Sequence, residues 1–435
     1  MGFSKDFMWG SASASHQVEG AYLEDGKTLN IWDVCEGKIA YGDDGKTACD
    51  HYHRYKADIA LMKEIGLKSY RFSISWARIF PEQDKINEKG IEFYKNLVDE
   101  LVNAGITPIC TLYHWDMPLW LHELGGWENK EIINHFVRYA EVCVKALSDK
   151  IEYWLTLNEP GSFIHGGYVC GAHAPFLKLS KERTDAITRI AMLAHGNAVK
   201  AMRKAALRPI KIGCAPSFGV DMPLDETEQE IEKAKKRTFD TDELYYSVPW
   251  WSDPVCLGKR QWGTDYLSDE DLKIINQPLD FYSFNTYHAG GFSAPKNTSN
   301  PRFYPGFPMT TMDWPITPDC LYWSVKFCYE RYGLPILITE NGMANVDFKM
   351  LDGKVHDPQR MDFIHRHLVG LRRAVEEGVE VIGYQYWSIM DNFEWSLGYS
   401  RRFGLIYVDY PTQERILKDS AYFYKEVIET NGENL

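Results

Sequence analysis

The chain of 435 residues carries nine cysteines but no Cys-x-x-Cys pair. An odd number without that spacing fits neither a disulfide framework nor a thiolate metal site. Cys110, Cys143, Cys214 and Cys328 fall inside apolar strand or helix patterns, where free thiols behave as small hydrophobes, and a reducing cytoplasm is the expected location. His51 and His53, like His365 and His367, are two positions apart, which on a helix turns them to different faces and disfavours metal binding. No stretch approaches a membrane span, and Met1-Gly-Phe-Ser-Lys-Asp6 lacks the apolar core of a secretion signal. Basic residues are also short: 48 Lys and Arg against 61 Asp and Glu give a net charge of −13, so there is no footprint for a nucleic-acid backbone. No Gly-x-Gly-x-x-Gly follows the first apolar run, which removes the main signature of a dinucleotide-binding sheet. No cofactor or metal is expected, and neither nucleic acid nor membrane is an expected partner.

What the sequence does contain is an alternation of apolar runs and helical stripes from end to end. Candidate strands are Phe7–Ser11, Ser69–Ile74, Thr107–Tyr113, Tyr153–Leu157, Ile210–Cys214, Asp280–Asn285, Ile336–Thr339 and Val381–Trp387. Between them run apolar stripes at 3.6-residue spacing: Tyr55, Ile59, Met62; Tyr94, Leu97, Leu101; Ile133, Phe136, Ala140, Val144, Leu147; and Met361, Ile364, Leu368, Leu371, Val375. Gly105 and Gly378 are stop signals for two of these helices. Eight strand–helix repeats predict one α/β domain over residues 1–435, a (β/α)8 TIM barrel with long βα loops at its C-terminal face. The stretch from Gly290 to Pro318 is rich in Gly, Pro, Asn and Ser yet holds Phe292, Phe303, Tyr304, Phe307 and Trp314. A solvated linker would avoid these aromatics, so a loop lining the barrel mouth is expected.

Two strand ends carry glutamates. Glu340 closes Ile336-Leu-Ile-Thr before the turn signal Asn341-Gly342, and Glu159 follows Leu157-Asn158 and precedes Pro160, which favours an extended end there. A carboxylate at the end of a buried strand is costly unless it is paired or working. On a barrel both face the same cavity, and two carboxyls flanking a sugar's anomeric carbon cleave glycosidic bonds. The 14% aromatic content supplies faces for sugar rings, although a large aromatic core explains many of those residues. Other strand ends add polar groups. Arg71 on the second strand can keep Glu340 ionised, though a structural ion pair explains it equally well. His114 and Trp115 follow the third strand as donor and stacking face, Asn158 precedes Glu159, and Asn285 and Tyr287 end the sixth. Trp387, Glu394 and Trp395 follow the eighth, and Gln17 follows the first.

With these residues in view the chain resembles the β-glucosidases of glycoside hydrolase family one. The matching motifs are Phe7-x-Trp9-Gly10 with Gln17-x-Glu19-Gly20, Tyr70-Arg-Phe-Ser-Ile-Ser-Trp76, Tyr113-His-Trp-Asp116, Thr156-Leu-Asn-Glu-Pro160, Ile338-Thr-Glu-Asn-Gly342 and Asp391-Asn-Phe-Glu-Trp395. The resemblance implies a retaining mechanism with Glu159 as acid/base and Glu340 as nucleophile. It also implies that Gln17, His114, Asn158, Glu394 and Trp395 hold the non-reducing sugar, that Trp387 lies beneath it and that Tyr287 touches the nucleophile. Trp314 matches the family's platform for the leaving group. The chain departs from the pattern at Thr286, where a tyrosine is usual, at Asp313 and Cys320, where glycines are common, and at Met390, where leucine is usual.

The expected substrate is a small β-glucoside. A 6-phospho-β-glycosidase is the near alternative, but Glu394-Trp395 would repel the phosphate. A catalytically silent sugar-binding relative would lose a catalytic glutamate and a thioglucosidase would have glutamine at 159, whereas this chain has both glutamates. A transglycosylase would use the same residues with a sugar as acceptor.

Overall fold

A computed structural model describes residues 2–241, 244–290 and 305–435. Eight parallel strands form one sheet: β1 (Met8–Ala12), β2 (Ser69–Ser73), β3 (Thr107–Tyr113), β4 (Tyr153–Asn158), β5 (Lys211–Ala215), β6 (Tyr282–Asn285), β7 (Ile336–Asn341) and β8 (Val381–Trp387). β1 pairs with both β2 and β8, and the remaining strands follow in order on either side. Between β5 and β6 the ring closes through a parallel bridge from Ser217 to Asn285, with Asn285 N–H donating to Pro216 O at 2.9 Å and Phe218 N–H to Asn285 O at 3.2 Å. The molecule is a (β/α)8 barrel, and all eight expected strands are present to within two residues at their starts.

Strand alternation decides what lies inside it. Met8, Ile109, Leu155, Ala215, Phe281 and Leu337 form an apolar layer distinct from the main core. Two residues beyond Ile109 and Leu337, Thr111 and Thr339 form a polar layer with Arg71 of β2, in which Arg71 Nε donates to Thr111 Oγ1 at 3.0 Å and Nη1 to the Thr339 carbonyl at 3.3 Å. The outward residues Tyr70, Phe72, Trp154, Ile212, Tyr282, Ile336 and Tyr384 join the large core beneath the helices. The helical stripes read from the sequence face that core: His51–Ile65, Glu88–Asn103, Ile132–Leu147 and Pro358–Glu376 each bury one side. The interior therefore changes from apolar to polar toward the C-terminal strand ends, where barrel enzymes place their chemistry.

Three details differ from the sequence reading. β7 runs through Glu340 to Asn341 rather than ending at Thr339. Glu159 is not extended: it takes φ +42° and ψ +68°, a left-handed conformation uncommon for a side-chain-bearing residue, at the start of the short helix Pro160–Ile164. A short antiparallel hairpin, β9 (Ile406–Asp409) and β10 (Glu414–Leu417), follows the barrel and was not expected. Of the aromatics anticipated in the long loop after β6, Phe292, Phe303 and Tyr304 lie outside the described residues, while Phe307 and Trp314 lie within them.

Candidate active site

The site is organised by Arg71, a fully buried guanidinium rising from β2. Its Nη1 bonds Glu340 Oε1, and its Nη2 donates to Asn158 Oδ1 at 2.6 Å. Asn158 Oδ1 also accepts from Asn285 Nδ2 at 3.1 Å, and that same nitrogen donates to Glu159 Oε1 at 2.7 Å. Asn285 is fixed in this orientation because its own carbonyl oxygen accepts from Thr339 Oγ1 at 2.7 Å. One continuous network, drawn from the ends of β2, β4, β6 and β7, thus joins the two glutamates.

Each carboxyl has a second partner. Tyr287 donates its hydroxyl to Glu340 Oε2 at 2.6 Å, and Ser162 donates to Glu159 Oε2 at 2.5 Å. The donor sets differ: a cation and a phenol serve Glu340, whereas only neutral groups serve Glu159. Burial pushes Glu340 up to about 7, with the guanidinium of Arg71 pulling down and the charge of Glu159 pushing up. Burial also raises Glu159, opposed by the hydrogen bonds from Ser162 and Asn285. Two such carboxyls titrate as a pair, and near neutrality the pair retains a proton.

The orientation of Asn158 fixes a histidine tautomer. With Oδ1 taken by Arg71, its amide nitrogen faces His114 Nε2 at 2.9 Å and donates to it. Burial holds His114 well below the ordinary histidine value, so the ring is neutral and its proton sits on Nδ1, which is buried without a protein partner. Gln17 shows the complementary state: its amide nitrogen donates to Asn392 Oδ1 at 3.0 Å and Phe393 O at 2.8 Å, leaving a buried, unpartnered Oε1. Glu394 also has a buried oxygen, Oε2, without a partner. Burial raises Glu394 to about 8, and the charges of Glu340 and Glu159 add to that. One donor and two acceptors left unpaired match a ligand made of hydroxyls, each of which donates once and accepts.

Aromatic rings complete the walls. Trp387 stacks against His114 at 5.9 Å, and Trp395 packs on Trp115 at 4.6 Å, while Trp115 Nε1 donates to Asn158 O at 2.9 Å. Trp314 packs on Tyr287 at 4.9 Å. Like Glu159, Trp115 and Trp395 have positive φ, +79° and +52°. Such conformations persist where surrounding contacts fix them, and they gather at functional sites.

The cavity enclosed by these groups has a volume of about 250 Å³. Of the residues expected at the site, His114, Trp115, Asn158, Glu159, Tyr287, Trp314, Glu340, Trp387, Glu394 and Trp395 line it. Gln17, Arg71 and Asn285 stand behind its wall. Six lining residues were not anticipated: Ser162, His173, Tyr246, Met312, Ser396 and Leu397. Ser162 is three residues beyond Glu159 at the start of a helix, a spacing that could have pointed to it. Tyr246, Met312 and His173 sit in loops with no local signal. Among the described residues no cluster of His, Cys, Asp and Glu has the arrangement of a metal site.

Residues 1–433 match the family model described as glycosyl hydrolase family 1. The chain is similar to a β-glucosidase A of Acetivibrio thermocellus, 42% identical over 99% of both chains. It is also similar to an aryl-phospho-β-D-glucosidase of Bacillus subtilis, 37% identical over 100% of this chain and 98% of the other. Among solved structures it superposes on the β-glucosidase from Thermotoga maritima in complex with glucoimidazole with a TM-score of 0.89, at 37% identity and 99% coverage of each chain.

Proposed function

The chain belongs to glycosyl hydrolase family 1, and on that premise we propose that it is a retaining β-glucosidase acting as a single catalytic unit over residues 1–435. The observation that carries the reading is the network through Arg71, Asn158 and Asn285, which binds Glu340 and Glu159 to one cavity with different donor sets. In this reading Glu340 keeps its negative charge because a guanidinium and a phenol stabilise it, and Glu159 holds the shared proton. Glu340 attacks the anomeric carbon while Glu159 protonates the departing oxygen, giving a covalent glycosyl-enzyme. Glycosylation of Glu340 removes its charge, so the proton affinity of Glu159 falls and it takes a proton from the water that releases the β-configured sugar. Gln17, His114, Asn158 and Glu394 bind the hydroxyls, with Trp387 beneath the ring and Trp314 under the leaving group.

Against a 6-phosphorylated substrate stands Glu394, a carboxyl group that offers a phosphate no cation to pair with. No helix among the described residues is long and apolar enough to cross a membrane, and all nine cysteines are unpaired, which supports a cytoplasmic location. The test is a panel of aryl β-glucoside, β-galactoside, β-fucoside and β-glucoside-6-phosphate, with the first-formed anomer read by proton NMR. The expected result is highest kcat/KM on an unphosphorylated glycoside and initial release of the β-anomer. Preference for the 6-phosphate, or initial release of the α-anomer, would overturn the substrate or the mechanism respectively.

A further inference from the structure

We propose that Asn392 is a positioning residue: it fixes the Gln17 amide with both N–H groups engaged, so that the sugar hydroxyl facing Gln17 must donate to it. The inference rests on the reading of the cavity as a glucose pocket.

The orientation of both amides follows from backbone carbonyls, which can only accept. One Gln17 amide atom lies 2.8 Å from the Phe393 carbonyl oxygen, so that atom is the nitrogen. Its second N–H points to Asn392 at 3.0 Å, where an acceptor is required. Asn392 meets the requirement because its own amide has no choice. Its other atom lies 3.0 Å from the Met390 carbonyl oxygen and is therefore the nitrogen, which leaves Oδ1 for Gln17. Ser388 closes the set, donating its hydroxyl to Met390 O at 2.8 Å and accepting from Asn392 Nδ2 at 3.0 Å. Neither amide can flip without setting two oxygens against each other.

The main chain holds the same frame. Phe393 N–H donates to Gln17 O at 3.2 Å, so the short helix Ser15–Val18 and the loop after β8 grip each other in both directions. Tyr410, just beyond β9, donates its hydroxyl to Asn392 O at 3.2 Å. Gln17, Ser388 and Asn392 are all buried. Oε1 is then the one polar atom of the Gln17 side chain without a protein partner. A buried acceptor in that state is costly until a donor meets it, and the hydroxyl that does so commits its single proton there. Asn392 thus sets the polarity of a hydrogen bond that it does not itself make. A substituent that accepts without donating, such as fluorine, has no partner at Gln17.

The experiment measures inhibition constants of glucose and of its 3-, 4- and 6-deoxy and deoxyfluoro analogues against turnover of an aryl β-glucoside. Wild type, Gln17→Ala and Asn392→Leu are compared. Inhibition by a sugar that is not cleaved keeps the electronic effect of fluorine on bond breaking out of the comparison. The ring position served by Gln17 is the one whose deoxy penalty disappears in Gln17→Ala. There the deoxy and fluoro sugars should bind wild type equally, each about 3–10-fold more weakly than glucose. Leucine at 392 keeps the volume and removes the acceptor, so the penalty at that position alone should shrink below about 3-fold. Neutron diffraction from wild-type crystals with glucose needs no variant. It should show the two Gln17 deuterons directed at Asn392 Oδ1 and Phe393 O, and a glucose deuteron directed at Oε1.

A fluoro sugar binding like glucose at the Gln17 position, a Gln17 deuteron on a glucose oxygen, or an even change at all positions in Asn392→Leu would overturn the inference. If glucose inhibits and no deoxy penalty depends on Gln17, the inference fails while the reading of the cavity stands. If glucose does not compete with the substrate, that reading fails and the inference falls with it.

Discussion

Half of the cavity is carried by strand ends and half by loops, and the two halves are held differently. His114, Asn158, Asn285, Glu340 and Arg71 interlock through bonds that leave almost no rotamer freedom, and their backbones are fixed by the barrel's own hydrogen bonds. Trp314 and Met312 instead come from a tight turn in which Asp313 N–H donates to Thr310 O at 3.0 Å and Thr310 N–H to Trp314 O at 2.9 Å. Asp313 takes φ +57° there, which explains why the family commonly has glycine at that point. The strand-borne half therefore suits chemistry common to all substrates, and the loop-borne half suits discrimination among leaving groups.

Substitutions should separate the two halves, with the largest losses in the strand-borne one. Glu340→Ala and Glu159→Ala should each lower turnover of an alkyl β-glucoside by more than about 10⁴-fold while leaving the fold intact. Azide should then rescue Glu340→Ala with an α-glycosyl azide and Glu159→Ala with a β-glycosyl azide; the reverse configurations would exchange the two roles.

Arg71→Met should cost about 3–5 kcal/mol in transition-state or folding free energy, since it leaves a buried carboxylate without its cation. Its sign in pH is fixed. Arg71 opposes the upward push of burial on Glu340, already at about 7, so removing it moves the acid limb of kcat/KM to higher pH. Activity at pH 6 should fall further than activity at pH 8, and equal losses at both would show that Arg71 does not tune the nucleophile.

Glu394→Gln should lower kcat/KM on an aryl β-glucoside by about 10²–10³-fold through loss of charge-assisted bonds, and lower it far less on the 6-phosphate. A parallel loss on both substrates would remove charge as the basis of the discrimination. Trp314→Ala, in the loop-borne half, should raise KM about 5–10-fold for an aryl β-glucoside and barely change that for methyl β-glucoside. If both rose together, the division between the two halves would not hold at Trp314.

The same division explains what could be read from the chain alone. Parallel barrel strands are buried on both faces, so β3, β7 and β8 stand out as apolar runs, and polar residues at strand ends are conspicuous. Arg71, His114, Asn158, Glu340 and Glu394 were visible for that reason. The left-handed backbone of Glu159 was not, because proline at 160 argues for an extended residue before it and only the tertiary frame reverses that preference. β9 and β10 are four residues each and carry too little periodicity to be seen. Tyr246 lines the cavity from a loop more than eighty positions beyond Glu159 in sequence, and no local pattern encodes that placement. Burial at the mouth, which lifts Glu340 and Glu394, is likewise a property of the assembled rim.

The central claim, that Glu340 forms the covalent bond to the sugar, is tested most directly by trapping. The enzyme is incubated with a 2-deoxy-2-fluoro-β-glucoside bearing an activated leaving group, then digested, and the labelled peptide is sequenced by mass spectrometry. The account predicts one label per chain, on Glu340 within Ile336-Leu-Ile-Thr-Glu-Asn341. A label on Glu159 or Glu394, or rapid turnover of an unphosphorylated glucoside through an inverted product with no label at all, would contradict it.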